Sequence, residues 1–230
     1  MVERVERDAM SAPAGPELGW RAPEVEAELP GLRLLVSEVQ VGRLTSLDGR
    51  SPADVEERLR ELSSKIRGAR AVGIRREAVP GAYRVFYRHI GLDPDVVRTP
   101  IEEAVLERMV RGAFLTGGLL EDVLLIALLD TGVAVWALDH GKLDGPLGIR
   151  TSLEGEPLGR SAGARLLPAG RLVVADASTA LAVLFGELAA GHRAGSSTQR
   201  LTLFAVQVAG VPTIYAEEAL WSCRTALERP

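Results

Sequence analysis

Residues 120–145 read LEDVLLIALLDTGVAVWALDHGKLDG and contain the change of pattern that decides the fold class. The apolar run at Leu120–Leu129 predicts a helix, and Gly132 is typical of the residue at which a helix stops. After Gly132 the apolar residues follow a period of two or form short runs, which indicates strands. The chain therefore changes from helix to strand within this stretch.

Upstream of this stretch, capping signals predict helices. Ser51 precedes Pro52 and Asp54, so we expect Ser51 to cap a helix. Thr99-Pro100-Ile101-Glu102 is a capping box with proline at the first helical position, and it predicts another helix start. The predicted elements of this half are a strand at Leu32–Val41 and helices at about 51–66, at Pro80–Ile90 and from Pro100 onward.

Downstream of Gly132, short strand patterns dominate. We predict strands at Val133–Leu138, Leu147–Ser152, Arg171–Ala175, Ala180–Phe185 and Leu201–Val208, and a closing helix at Thr213–Leu227. A helix-rich first half and a mainly antiparallel, strand-rich second half predict the α+β class, in a single domain over residues 31–230. Residues 1–30 mix Glu, Pro, Ala and Gly without apolar periodicity and predict a flexible N-terminal arm.

Composition narrows the class of protein. The chain has 230 residues, 47% of them hydrophobic and 25% charged, which is typical of a globular protein with a core. A net charge of −4 excludes nucleic-acid binding by bulk positive charge. One cysteine and three histidines argue against a disulfide framework and a metal centre, and no cofactor is expected. The charged start and the lack of a membrane-spanning run predict a cytoplasmic protein with no membrane partner.

Several short motifs together resemble a known family. The segments Arg88–Pro94, Arg98–Ala104 and Leu120–Gly145 are similar in order and spacing to the B3/B4 domain of the phenylalanyl-tRNA synthetase beta chain, and more closely to free-standing proteins built from that domain alone. The resemblance covers about Leu32 to Leu227. Its matching positions include Asp122, Gly132, Ala137, Asp139, Lys142, Leu143 and Gly145, and further matches lie at 153–156, 172–176, 180–182, 185–187 and Thr198.

The resemblance implies a pocket linked to tRNA. In the synthetase, this domain is the editing site that hydrolyses tyrosine wrongly attached to phenylalanine tRNA. A free-standing version is expected to edit in trans or to bind aminoacylated RNA, with no aminoacylation activity. The residues that the resemblance assigns to the substrate pocket are Asp122, Leu125, Trp136, Asp139, Gly186 and Thr198, and the candidate catalytic residue is Glu187.

Two positions depart from the synthetase motif. Trp136 replaces its histidine and Leu125 replaces its asparagine. An indole is a hydrogen-bond donor only, so Trp136 cannot relay a proton. Leu125, Trp136, Leu138 and Val183 make the expected pocket apolar, which favours a small apolar ligand group.

Each polar candidate also has a structural interpretation. Glu187 either positions water or an α-amino group, or is a solvated loop carboxylate. Asp139 either contacts substrate or, as we consider more typical, bonds the backbone of the turn that follows it. Asp122 either lines the pocket or is a partner for buried backbone. The loop with His192, Ser196 and Ser197 has no nucleophile-elbow motif and is interpreted as a mobile loop over the pocket rather than a catalytic triad.

A basic stretch is the candidate RNA surface. Seven basic side chains and one acidic side chain lie between residues 65 and 90. Arginine pairs well with phosphate, so this stretch either steers a tRNA acceptor stem or is a solvated helix face. The predicted RNA-binding residues are Arg67, Arg70, Arg75, Arg76, Arg84 and Arg88.

Two functions from different classes follow from these expectations. The first is a deacylase that removes a wrong amino acid from tRNA, with water as the nucleophile and backbone N–H groups stabilising the oxyanion. The second is a binding module that holds an amino acid or an aminoacyl RNA end without chemistry. The apolar residues Trp136 and Leu125 favour the second.

Overall fold

Helices dominate the chain as far as Thr131 and strands dominate it from Val135, which confirms the α+β class. The computed structural model describes residues 15–42 and 46–229. The α-helices of this part are α1 (Pro23–Glu28), α2 (Ala53–Lys65), α3 (Ala69–Gly73), α4 (Ala78–His89), α5 (Pro100–Arg111), α6 (Leu119–Thr131) and α7 (Thr213–Leu227). Its strands are β1 (Glu17–Leu18), β2 (Trp20–Arg21), β3 (Arg33–Gln40), β4 (Val135–Asp139), β5 (Gly148–Thr151), β6 (Glu156–Pro157), β7 (Leu166–Leu167), β8 (Leu172–Ala175), β9 (Ala180–Val183) and β10 (Arg200–Gln207).

The strands form two four-stranded sheets and a small hairpin. The first sheet has the order β1-β3-β10-β4 and is antiparallel throughout. Its long central pair, β3 and β10, runs in register from Gln40 opposite Arg200 to Arg33 opposite Gln207. The second sheet has the order β2-β5-β8-β9 and is antiparallel except for β2 beside β5. The mainly antiparallel second half is therefore confirmed.

The core has one main cluster and two satellites. The main cluster joins the two sheets to α4, α6 and α7, and its buried members include Leu138, Ile149 and Cys223. Two neighbouring residues of β8 belong to different clusters. Val174 packs in the main cluster, whereas Val173 packs in one of the satellites with the β7 residue Leu167. A strand buried on both faces accounts for the continuous apolar run in the sequence. The third cluster holds α2, α3, α5 and α6 together.

The helix-capping hydrogen bonds are those predicted from the sequence at α5 but not at α2. As the capping box predicts, the Thr99 N–H donates to the Glu102 carboxylate at 3.2 Å, and the Thr99 side chain accepts from the Glu102 N–H. The Thr99 hydroxyl also donates to that carboxylate at 2.7 Å. The prediction that Ser51 caps α2 is wrong, because its hydroxyl donates to Asp122 of α6 at 2.5 Å instead. The helix begins one residue later than a Ser51 cap requires, at Ala53.

The prediction of a flexible arm over residues 1–30 is wrong for residues 17–28, which form β1, β2 and α1. Strand β1 pairs with β3, and the Trp20 indole Nε1 donates to the Pro146 carbonyl at 2.9 Å. Val25 of α1 is buried in the main core. These contacts join residues far apart in sequence, so no local periodicity reveals them. Residues 1–14 lie outside the described part of the chain.

Candidate functional site

Aromatic rings fill the region around Trp136, where the resemblance places the ligand. Trp136 of β4 stacks on Phe204 of the neighbouring strand β10, with ring centroids 5.5 Å apart and an interplanar angle of 13°. Phe185 packs against the same tryptophan at a centroid distance of 6.0 Å. Three rings of α4 surround Phe185 at centroid distances of 5.4–5.8 Å; they belong to Tyr83, Phe86 and Tyr87. We call these six residues the aromatic cluster.

A strained turn after β9 places Phe185 in this cluster. Phe185 has a φ of 59°, the left-handed region that favours glycine. Gly186, a predicted pocket residue, follows it and donates its N–H to the Val183 carbonyl at 2.8 Å. Packing among the rings of α4 and β4 offsets the backbone strain. The turn therefore inserts a ring where the resemblance implies space for a substrate.

Glu187, the predicted catalytic residue, lies at the surface of this turn. Its carboxylate pairs with the exposed Arg165 side chain at 3.3 Å, and 47% of the Glu187 side chain is exposed. Among the described residues, its carboxylate has no hydrogen bond or ion pair with another predicted site residue. This geometry matches the solvated loop carboxylate rather than a group that positions water in a pocket.

Asp139 and Thr198 are the predicted pocket residues that the structure brings into direct contact. The Asp139 carboxylate accepts a hydrogen bond from the Gly141 N–H at 3.1 Å and another from the Thr198 hydroxyl at 3.0 Å. Lys142 lies 3.4 Å from the same carboxylate. Asp139 therefore holds the turn after β4, as its sequence context indicates, and connects that turn to the loop before β10.

Asp122 and Leu125 have structural roles on α6. Asp122 is buried and accepts hydrogen bonds from the Ser51 hydroxyl at 2.5 Å and from the Gly117 N–H at 2.9 Å. It thereby joins the loops before α2 and α6. Leu125 packs against the helical cluster that includes Leu128 and Leu129. The six predicted pocket residues are thus distributed among the helix α6, the aromatic cluster and two turns.

The arginines predicted to bind RNA differ in burial and in their partners. Arg84 is buried and pairs with Glu102 at 2.5 Å and with Asp95 at 2.7 Å, so its assignment to RNA binding is wrong. Both acids lie beyond the sequence window in which the charges were counted. Arg75 also lies near Asp95, at 3.8 Å. The remaining predicted residues, Arg67, Arg70, Arg76 and Arg88, are exposed.

The structure instead offers a cleft that sequence reasoning missed. It lies between the ends of α1 and α4 and the strands β5, β8 and β9, and has a volume of about 260 Å³. Its apolar floor consists of Leu29, Ile90, Leu92, Leu172, Val183 and Leu184. Five of these side chains are only half-buried, since the cleft leaves one side of each uncovered. A volume of this size fits a small ligand.

Charged side chains of both signs line the same cleft. Glu28 comes from the end of α1, His89 from the end of α4 and Arg171 from the start of β8. All three are exposed, and their side chains have no ion pair with any residue of the described part of the chain. Thr151 of β5 adds a hydroxyl. The arrangement combines an apolar floor with a free carboxylate and a free guanidinium.

No sequence signal pointed to this cleft, because its residues come from five elements that meet only in the fold. The nearest indication was Val183, which the resemblance aligned with an apolar pocket. Glu28 lies within the predicted arm, and His89 lies near the end of the predicted helix Pro80–Ile90. Arg171 opens a strand and carries no motif.

Comparisons with known proteins give no assignment: no family model matches the chain, and no curated protein matches it. Within residues 15–42 and 46–229, no three His, Cys, Asp or Glu side chains are grouped so as to hold a metal ion. The same residues include no helix that is both long and apolar enough to span a membrane.

Proposed function

We propose that this chain is a B3/B4-like binding module that holds a small amino-acid-like ligand in the cleft, either free or at the end of an RNA, without hydrolysing it. The observation that carries the proposal is that Glu28 and Arg171 line the cleft together with apolar side chains and have no ion pair among the residues that the structure describes. An amino acid presents the complementary groups: an ammonium, an anionic group and, in many cases, an apolar side chain.

The cleft suits such a ligand on physical grounds. A guanidinium binds a carboxylate or phosphate with two hydrogen bonds, so Arg171 would hold the anionic end. Glu28 would accept from the ammonium group. The half-buried Leu92, Leu172 and Val183 would gain burial against the ligand side chain, which is favourable by about 25 cal/mol per Å².

Binding without turnover is favoured because the groups expected to act in hydrolysis lie elsewhere. Trp136 stands where the synthetase motif has histidine, and its ring is stacked on Phe204. Glu187 does not line the cleft and pairs with Arg165. The cleft therefore contains groups that can recognise a ligand, but neither Trp136 nor Glu187 lines it.

Calorimetric titration of the protein with the twenty amino acids tests the proposal. We expect saturable binding of a subset with apolar side chains. Glu28→Gln and Arg171→Gln should each weaken that binding by about tenfold or more, because a hydrogen bond to a charged group contributes about 1.5–3 kcal/mol. Arg165→Gln is the matched control, since it removes an exposed guanidinium outside the cleft, and it should leave Kd unchanged.

A deacylation assay decides between binding and hydrolysis. The protein is incubated with correctly and wrongly charged tRNAs, with Glu187→Gln alongside. We expect the amino acid to be released at the background rate in both samples, while aminoacyl-tRNA competes for the cleft if the ligand is attached to RNA. Selective release that Glu187→Gln abolishes would contradict the proposal and establish the editing reaction.

A further inference from the structure

A groove rich in arginine lies between α2, α5 and the loop that follows α5. Its lining includes Arg50, Arg60, Arg67 and Arg108, together with Phe114 and a single acidic side chain, Glu56. We call this surface the arginine groove. It shares no lining residue with the cleft. A concave surface with four guanidinium groups concentrates positive potential in an acidic protein.

Two of the four arginines are already paired with glutamates. Arg50 binds Glu56 through two hydrogen bonds of 2.7 and 3.1 Å, and Arg60 pairs with Glu57. The hydrogen bonds from Arg50 lower the pKa of the Glu56 carboxyl group, so the glutamate stays ionised. These pairs neutralise part of the groove and leave the other two arginines as its excess charge.

Arg67 and Arg108 have no carboxylate partner among the described residues. The Arg67 Nε donates to the Ser64 carbonyl at 2.7 Å, and the Arg108 Nη2 donates to the Ser63 carbonyl at 2.8 Å. Both carbonyls belong to the last turn of α2. Each guanidinium has five donors, so most of them are left for a ligand. These two backbone contacts hold the charged groups beside the end of α2 and reduce the entropy lost on binding.

Arg108 provides a second observation. Its Nε–H is shielded from solvent and has no hydrogen-bond acceptor in the structure. Because this Nε–H is enclosed, a ligand in the groove would bind Arg108 through the terminal Nη groups of its guanidinium. The phosphate oxygens of a ligand are strong acceptors that match the guanidinium fork.

We propose that the arginine groove is a binding site for the phosphate group of a nucleotide, held by Arg67 and Arg108 and flanked by Phe114. The aromatic ring lines the same groove and offers a surface for the base. Ser63, Ser64 and Thr116 add hydroxyl groups around the phosphate. The nucleotide is either a free mononucleotide or part of an RNA strand. The site is independent of the ligand proposed for the cleft, and either proposal can fail without the other.

Fluorescence anisotropy with a labelled single-stranded RNA hexamer, together with calorimetric titration of AMP and of inorganic phosphate, tests the site. We expect AMP or the hexamer to bind saturably, with a Kd that rises as the ionic strength increases. Arg67→Glu and Arg108→Gln should each raise Kd by about tenfold or more, since each removes charge-assisted hydrogen bonds. Phe114→Leu should weaken the nucleotide but not inorganic phosphate.

The matched control is Arg200→Glu, which makes the same change of charge as Arg67→Glu at an exposed position outside the groove. It should alter Kd by less than about twofold, because a distant exposed charge is screened by salt. Competition by AMP for the hexamer would assign both to one site. Absence of saturable binding for every probe would overturn the proposal. An equal loss of affinity in Arg200→Glu would also overturn it, because that result indicates a diffuse charge effect.

Discussion

At the scale of single residues, burial decides whether a carboxylate serves a ligand or the fold. Asp122 and Glu121 are neighbours on α6, yet the first is buried and the second is exposed. The Asp122 carboxylate accepts hydrogen bonds from Ser51 and Gly117, which brings two loops to the start of the helix. A charged group enclosed in this way is held by its donors and is not available to a substrate.

Asp122→Ala should therefore destabilise the protein. The substitution leaves the buried Ser51 hydroxyl without its acceptor, which costs about 1–3 kcal/mol, and it also removes the partly buried hydrogen bond from the Gly117 N–H. We expect the free energy of unfolding to fall by about 3 kcal/mol, measured by urea denaturation. Glu121→Ala is the control and should change it by less than about 0.5 kcal/mol. Equal stability of the two variants would show that the Asp122 contacts contribute little.

At the scale of elements, ion pairs between helices explain why a count of charges along the sequence was misleading. Arg84 of α4 reaches Glu102 in the first turn of α5 and Asp95 in the loop between them. The hydrogen bond from Arg84 lowers the pKa of the Asp95 carboxyl group. Arg84 thus fixes α5 against α4, a role that appears only when the acids of the next element are included.

Replacing Arg84 should loosen this helix pair. In Arg84→Met, Glu102 remains nearly buried without its cation, and breaking a buried ion pair costs about 3–5 kcal/mol. We expect a loss near the lower limit, since Asp95 is largely exposed and Glu102 keeps its bonds to Thr99. Chemical denaturation measures it. Arg88→Met, on the same helix but exposed, should leave stability nearly unchanged, and a similar loss in both variants would contradict this role of Arg84.

Elements with local signals were predictable from the sequence, whereas elements that depend on distant partners were not. Helix α7 has the predicted bounds, Thr213–Leu227, because apolar spacing along one face defines it. Strand β10 lies within one residue of its predicted position. In contrast, β1 and α1 depend on partners elsewhere in the chain, so the sequence of residues 17–28 resembles a loose arm.

The candidate site was less predictable than the fold for the same reason. Motif positions such as Asp139 identified a turn correctly, since an aspartate bonds its own turn locally. Whether space exists beside Trp136 depends on Phe185, which a left-handed turn inserts from another sheet. The cleft and the arginine groove are likewise formed by several elements each, and no segment of the sequence contains either set.

At the scale of the whole molecule, the loop region around His192 connects the second sheet to the rest of the fold and makes stability depend on pH. His192 is 3% exposed, and its Nδ1 has no hydrogen-bond partner among residues 15–42 and 46–229. Burial lowers the pKa of its imidazole below the ordinary value of 6.5, and the positive charges of Arg160 and Lys142 act in the same direction against the opposing charge of Asp176. The folded protein therefore keeps this histidine neutral at a pH where the unfolded chain is protonated.

The contribution of neutral His192 to the free energy of unfolding should consequently be fully present above about pH 6.5. The free energy of unfolding should fall as the pH drops from there towards the lowered pKa, because the unfolded state binds more protons in that range. Asp176 does not contribute there. Burial would raise the pKa of its carboxyl group, but hydrogen bonds from the N–H groups of Ser178, Asp144 and Thr179 outweigh burial and keep it below 3.8.

Urea denaturation at pH 7.5 and 5.5 measures the effect. His192→Gln should reduce the difference between the two pH values, whereas His89→Gln, at an exposed histidine, should retain it. A wild-type protein equally stable at both pH values, or a difference that His192→Gln leaves intact, would refute the role of this buried imidazole.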